Sequence, residues 1–293
     1  MKLTGKIKRR HVFNALLSFL MFLLTLIIIF PLITMVLTSL KPKSELTASS
    51  FRLLPEIWQF SNYIRLFKAA DWGRCFFNTV VVTVFTVFFS LLVNSIAGFA
   101  FARLRFPGRN MLFLITLIGM MIPTQVTMIP LFVIMKNFPL IGGNNLLGSG
   151  GSGLLDTYAG IFLPNVAGAY GVFLFRQFFL NFPGSLDDAA KIDGLTTWKR
   201  YTRIYIPLGA PIFATLTVMK TTQAWNDYTW PLIITRSESM KTIQLALDVF
   251  KTETSTNWVL MMAAATMVVL PLILLFLFAQ KYFVEGITRS GMK

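Results

Sequence analysis

The spacing of charge constrains this chain more than any other feature. Six stretches carry no Lys, Arg, Asp or Glu: 12–40, 75–102, 110–135, 157–175, 204–219 and 254–280, with lengths of 29, 28, 26, 19, 16 and 27 residues. A helix of roughly 20 mainly apolar residues crosses the hydrocarbon core of a bilayer. No water is available there to satisfy backbone groups, so the helix, which satisfies its own, is the natural form for such runs. The fifth run is short and spans only by continuing through Lys220 to about Ala224. A seventh uncharged gap, 137–155, reads NFPLIGGNNLLGSGGSGLL. Its Gly, Ser and Asn content predicts a flexible loop. The expectation is one all-α integral membrane domain over 1–293, with six spans at about 12–40, 75–102, 110–135, 157–180, 204–225 and 257–281.

The composition agrees: 55% of the residues are apolar, 29 are Phe and only 13% are charged, outside the range of soluble domains. The first run is too long for the apolar core of a cleaved signal peptide and lacks a small-x-small site after it, so it reads as a retained anchor. Cys75 is the single cysteine, which excludes an intramolecular disulfide and a cysteine metal cluster. His11 is also alone and, beside KIKRR, reads as a solvated interface residue.

The net charge of +15 raises the question of nucleic acid, and its location answers it. With the N-terminus inside, segments 1–11, 103–109, 176–203 and 281–293 hold sixteen Lys/Arg against four acids, whereas the outer loops hold ten against eight. That asymmetry follows the positive-inside rule and not the single basic face of a nucleic-acid binder. Both termini are expected to be cytoplasmic.

The segment LDDAAKIDGLTTWKRYTRIYIPLGAP, Leu186 to Pro211, then falls in the second cytoplasmic loop and concentrates seven charged residues there. Ser185 followed by Asp188 has the pattern of a capping box, predicting a helix from about Leu186 to Ile192 that stops at Gly194. Thr197 is placed to cap a second helix carrying Trp198, Tyr201 and Tyr205 on one face. The pair is expected to present its acids and alanines outward. Two readings stand on these residues alone: a docking surface for another protein, or an interfacial anchor to membrane lipid.

The spacing Asp188-Ala189-Ala190, three residues, Gly194, nine residues, Ile204-Tyr205-Ile206-Pro207 resembles the EAA loop of ABC-importer permeases. The family pattern is EAA, three residues, Gly, nine residues, I-x-L-P; here Asp stands for Glu and Ile for Leu. FSNYIRLF, FARLRFPGRN, MIPTQVTMIPLF, WNDYTWPL and YFVEGITRSGMK are similar to the carbohydrate-importer branch, the smaller maltose-type permease subunit in particular. An alginate importer's second permease subunit is one candidate within that branch.

The resemblance implies a multi-pass permease of the bacterial inner membrane whose loop 183–207 carries the coupling helix. Asp188 would pair with a basic group on a separate ATPase subunit, Ala189 and Ala190 would allow close approach, Gly194 would make the turn, and Pro207 would mark re-entry into the membrane. The tail Gly286 to Lys293 would lie near the ATPase dimer. Implied partners are a homologous permease subunit, two ATPase subunits that hold the ATP and Mg, an extracytoplasmic solute-binding protein docked on loops 41–74 and 227–253, and an oligosaccharide.

Catalysis is not expected in this chain. It has no G-x-x-x-x-G-K-[ST] phosphate loop, and its single His leaves neither a metal cluster nor a Ser-His-acid set. An ion-coupled carrier normally holds acids at mid-membrane, whereas all twelve Asp/Glu fall in loops or at membrane edges.

For the substrate path, Pro123 and Pro130 in the third span and Pro164 with Asn165 in the fourth break helical bonding, either lining a cavity or as packing kinks. In the fifth span, Lys220, Gln223, Trp225, Asn226 and Tyr228 mix hydrogen-bonding groups with flat rings, a combination that suits sugars and also an outer aromatic belt. Lys220 either snorkels to the outer interface or faces the path, where a fixed positive charge favours an acidic, uronate-type oligosaccharide. A polyol or glycerol-phosphate importer is the alternative within the class.

Overall fold

A computed structural model of the chain describes residues 2–46, 52–251 and 256–290. Among these residues the regular structure is helical, and extended pairing is limited to one isolated bridge between Lys251 and Thr256. In chain order the main helices are α1 (Lys2–Ser39), α2 (Ser61–Ala69), α3 (Trp72–Arg103), α4 (Arg109–Gly119), α5 (Thr124–Lys136) and α6 (Tyr158–Phe162). They continue with α7 (Ala169–Leu180), α8 (Gly184–Ile192), α9 (Thr197–Arg200), α10 (Ala210–Trp225), α11 (Thr229–Ile234) and α12 (Trp258–Ser290).

Three described helices are long and apolar enough to cross a membrane unbroken: Phe13–Ser39, Trp72–Arg103 and Trp258–Phe278. Three more spans form only if bent pairs are each taken as one: α4 with α5 (103°), Tyr158–Asn165 with α7 (46°), and Thr197–Leu208 with α10 (76°). The breaks have local causes. Pro123 precedes α5; proline lacks an N–H and disfavours helical geometry in the residue before it. Pro130 sits inside α5 without ending it. Pro164 lies in the 3₁₀ turn Leu163–Asn165, after which Gly168 is extended. The bend before α10 comes at Gly209, between Pro207 and Pro211, inside the uncharged run that starts at residue 204.

The chain forms two compact units. The first comprises Met1–Ala70 and Leu247–Leu270. In it, every residue of α1 from Phe13 to Ile33 is exposed, as suits an all-round apolar helix whose solvent is lipid. The last carbonyls of a helix lack intrahelical partners. Here the buried Asn62 of α2 supplies them, donating Nδ2–H to the carbonyls of Ser39 and Lys41 at 2.9 Å each. The side chains of His11 and of the expected contact tail, Gly286 to Lys293, lie outside the described residues, as do 47–51 and 252–253 of the expected docking loops.

The second unit, Asp71–Ala246 with Pro271–Lys293, is organised by α3, against which α7 and α10 pack. The α3–α7 approach is close because the contact residues are small. A Cβ on Gly98 would stand 2.4 Å from Phe175 Cβ and 3.0 Å from the Arg176 nitrogen, so no other residue fits there. One face of α3 is polar and buried, running through Asn78, Thr79, Thr83, Thr86, Ser90, Asn94 and Ser95 at helical spacing. Buried polar groups need partners. Asn78 donates to the carbonyls of Ser239 and Lys241 at 2.9 Å and accepts from Tyr158 Oη at 2.7 Å.

The gap at 137–155 is a loop, as its composition predicts, and side-chain hydrogen bonds cross it. Asn144, 8% exposed, donates to the carbonyls of Lys136 and Phe138 and accepts from Gly151 N–H at 2.7 Å. Asn145 Oδ1 accepts from the N–H groups of Leu147 and Ser149. Two asparagine side chains thus stand in for secondary structure, as Asx turns do. Leu146 and Leu147 are left outward, 77% and 88% exposed.

Candidate functional site

The charged loop is built on α8. The helix starts at Gly184 with Pro183 at its N-cap and no side-chain cap, so Ser185 is not the cap its spacing predicts. Pro183 ends the preceding extended turn with φ −60° and ψ 141°, and the chain is already helical by Ser185. Gly194 ends the turn with φ +69°, the left-handed conformation expected of it. The second helix is capped by Thr196, whose Oγ1 accepts from Lys199 N–H at 3.3 Å, one residue earlier than predicted. It then widens into a π-helical turn, Tyr201–Tyr205, with Tyr201 and Tyr205 buried and Trp198 58% exposed.

The two faces of α8 differ sharply. Asp188, Ala189, Lys191, Ile192 and Asp193 are exposed, Ile192 by 87%. Asp188 pairs with Lys191 at 3.4 Å, and both side chains are well exposed. Ala190 is 2% exposed, so one of the two alanines expected outward instead packs inward, on the helix face opposite Asp188. Asp187 also departs from the outward expectation. Its carboxylate, 13% exposed, accepts from Arg200 Nη1 at 3.0 Å, Arg103 Nη1 at 3.3 Å and Tyr205 Oη at 2.8 Å. Arg103 also donates to the carbonyls of Phe179 and Phe182. Tyr205 is fully enclosed, its ring 4.8 Å from that of Phe99, 5.4 Å from Phe179 and 5.5 Å from Phe182. A cleft of about 630 Å³ beside this cluster is lined by Arg105, Arg109, Asp188 and Lys191, among others. Pro207 lies in the turn Ile206–Leu208 at the surface.

The candidate path residues divide. Lys220 is directed at the break between Leu163–Asn165 and α7, its Nζ donating to the Asn165 carbonyl at 3.4 Å. The same break is held by the buried Asn94, whose Oδ1 accepts from Gly168 N–H at 3.1 Å while Nδ2 donates to Ser90 Oγ at 2.8 Å and the Val166 carbonyl at 3.4 Å. Lys220 and Asn165 therefore come together, with Asn94 as a neighbour at the same break. The others do not join them. Asn226 accepts from Gln244 at 3.1 Å and is exposed, Gln223 and Tyr228 are at the surface, and Trp225 lines an apolar groove of about 540 Å³ with Val84, Phe88 and Pro271. The reading of sequence missed Asp187, Arg103 and Asn94. The run of polar residues from Asn78 to Ser95 was the signal available for Asn94; Arg103 lies in FARLRFPGRN, which marked the family resemblance and not this contact.

Among the described residues no group of three or more His, Cys, Asp or Glu gathers that could hold a metal ion.

The family model for binding-protein-dependent transport system inner membrane components matches residues 94–289. The chain is 34% identical over 285 residues to the arabinooligosaccharides transport system permease protein AraQ of Bacillus subtilis, covering 96% of both chains. It is 32% identical over 262 residues to the lactose transport system permease protein LacG of Rhizobium radiobacter, covering 89% of this chain and 90% of that one. A solved chain from a bacterial ABC transporter involved in the import of the acidic polysaccharide alginate superposes with a TM-score of 0.79 at 25% identity, covering 93% of this chain and 97% of the other. The chain therefore belongs to the family of binding-protein-dependent transport system inner membrane components, and is an inner-membrane permease of ABC sugar transport.

Proposed function

We propose that this chain is one of two transmembrane subunits of an ATP-driven importer for an oligosaccharide, with both termini in the cytoplasm and six spans. The observation that carries the coupling role is the exposed strip of Asp188, Ala189 and Ile192 on a helix whose other face is anchored. Ile192 at 87% exposure beside an acid presents the apolar-plus-charged chemistry of a docking knob. In this reading the knob enters a cleft on an ATPase subunit, which holds ATP and Mg, and Asp188 pairs with a basic group there. Gly194 and Pro207 set the turn and the return to the membrane. A homologous permease, a second ATPase subunit and an extracytoplasmic binding protein complete the assembly.

The cargo is proposed to be an acidic oligosaccharide of the uronate type. Two observations support this: the inward-directed Lys220 at the broken fourth span, and the similarity to an importer of alginate. A fixed cation beside freed carbonyls attracts carboxylate-bearing sugars and gives neutral ones no equivalent gain. The test is ATP hydrolysis by the purified complex in liposomes, with the loaded binding protein added. Uronate, neutral arabino- and galacto-oligosaccharides, polyols and glycerol phosphate are supplied one at a time. Stimulation by uronates alone is expected; stimulation by neutral sugars alone would remove the acidic cargo and keep the importer.

A further inference from the structure

The coupling helix is short, nine residues from Gly184 to Ile192, and joins the spans through single strands of chain at Phe182–Pro183 and Gly194–Thr196. Such a helix, pushed from outside, moves the membrane segments only if side chains fasten it to them. The structure shows such a fastening. The Asp187 carboxylate receives Arg103 from the end of α3, and Arg200 and Tyr205 from the segment that leads into α10. Arg103 simultaneously holds the carbonyls of Phe179 and Phe182 at and just beyond the end of α7. The ends of three membrane segments thus meet through one carboxylate.

The environment makes this junction stiff. The side chains of Asp187, Arg103 and Arg200 are 13%, 10% and 10% exposed, and Tyr205 is sealed among phenyl rings. Charge-assisted hydrogen bonds are strong where water is scarce. Two guanidinium groups stand side by side there because one carboxylate lies between them; without it, both are buried cations lacking their counter-charge.

We propose that Asp187 is the positioning residue that converts movement of α8 into movement of the membrane helices, while its neighbour Asp188 faces the partner. This rests on the coupling reading above. Removing the carboxylate charge leaves α8 able to move without carrying α3, α7 and α10 along, so ATP is spent with little sugar moved.

The measurement is sugar taken up per ATP hydrolysed, in liposomes containing the complete complex with its binding protein. Asp187→Asn is expected to lower that ratio about tenfold, and Tyr205→Phe, which removes one of three donors and keeps the ring, about threefold. The Tyr205→Phe complex is expected to melt close to the wild-type temperature. Uptake and hydrolysis falling in parallel, with the ratio unchanged in both variants, would overturn the proposal and leave Asp187 a stabilising group only. Should Asp187→Asn fail to assemble, the ratio in Tyr205→Phe decides. A wild-type complex with no ATP-dependent uptake would instead overturn the importer reading, and this inference with it.

Discussion

Asp187 and Asp188 are neighbours in the chain and stand in opposite surroundings: the first is 13% exposed between Arg103 and Arg200, the second 72% exposed beside Lys191. A helix turns about 100° per residue, so consecutive side chains diverge, and here the divergence separates an anchored carboxylate from one presented outward. The two acids have different jobs in this account, and their variants are expected to fail differently.

Reversing the charge at Asp188 removes the acid proposed to meet the ATPase without touching the Asp187 cluster. Asp188→Lys is expected to reduce the amount of ATPase subunit that co-purifies with this chain at least about tenfold, since facing like charges cost several kcal/mol at an interface. Its own fold, followed by melting of the isolated permease pair, is expected to hold. Normal co-purification would exclude Asp188 as the docking acid.

Gly98 lies where α3 and α7 touch, and even a methyl group would meet Phe175 Cβ at 2.4 Å. Gly98→Leu forces the helices apart and costs about 1–3 kcal/mol or more as an overpacked core. The readout is a lower melting temperature and poor recovery from membranes; unchanged melting would show that the two helices separate freely.

The Asp156 carboxylate sits outside the spans. Burial works against its charge, yet the backbone N–H groups of Arg236 and Ser237, at 2.8 and 3.0 Å, together with the Ser237 hydroxyl and the Arg236 charge, hold its pKa below the ordinary range. A depressed carboxylate stabilises the fold above its unfolded pKa, and that contribution fades as pH falls through the lower, folded value. Asp156→Asn is therefore expected to melt about 2–4 °C lower at pH 7, with the gap to wild type closing on acidification. A gap that widens toward acid would contradict the assignment.

At Lys220, substitution tests the cargo and not the fold. Lys220→Met keeps the length of the side chain and removes its charge. The preference for uronate over neutral oligosaccharides, read as a ratio of uptake rates, is expected to fall about tenfold, equivalent to roughly 1.4 kcal/mol. An unchanged ratio would return Lys220 to a structural role at the broken fourth span.

How much of this was legible beforehand differs from element to element. Uncharged length marked six candidate membrane segments, three of which are single helices long and apolar enough to cross, because the cost of burying charge in lipid acts locally on sequence. It did not reveal that the other three are bent, by 103°, 46° and 76°, since a proline shows where a helix is weak and not how far its neighbours turn it. The spacing around Gly194 located the charged loop, and its positive φ follows from local sterics. Which of two adjacent acids turned inward was decided by Arg103, 84 residues away in sequence, and no local pattern contains that information. At 137–155 composition located the loop, but not the hydrogen bonds by which Asn144 and Asn145 tie it together. Lys220 could be singled out as an oddity, but its direction depended on a carbonyl released at Asn165 in another helix.

The central claim is that ATP hydrolysis by a partner drives sugar through this chain. It is tested most directly by uptake into liposomes bearing the complete complex, with ATP enclosed and loaded binding protein outside. The account predicts accumulation of oligosaccharide with enclosed ATP and none when a proton or sodium gradient is imposed in its place. Uptake driven by an ion gradient without ATP would contradict it.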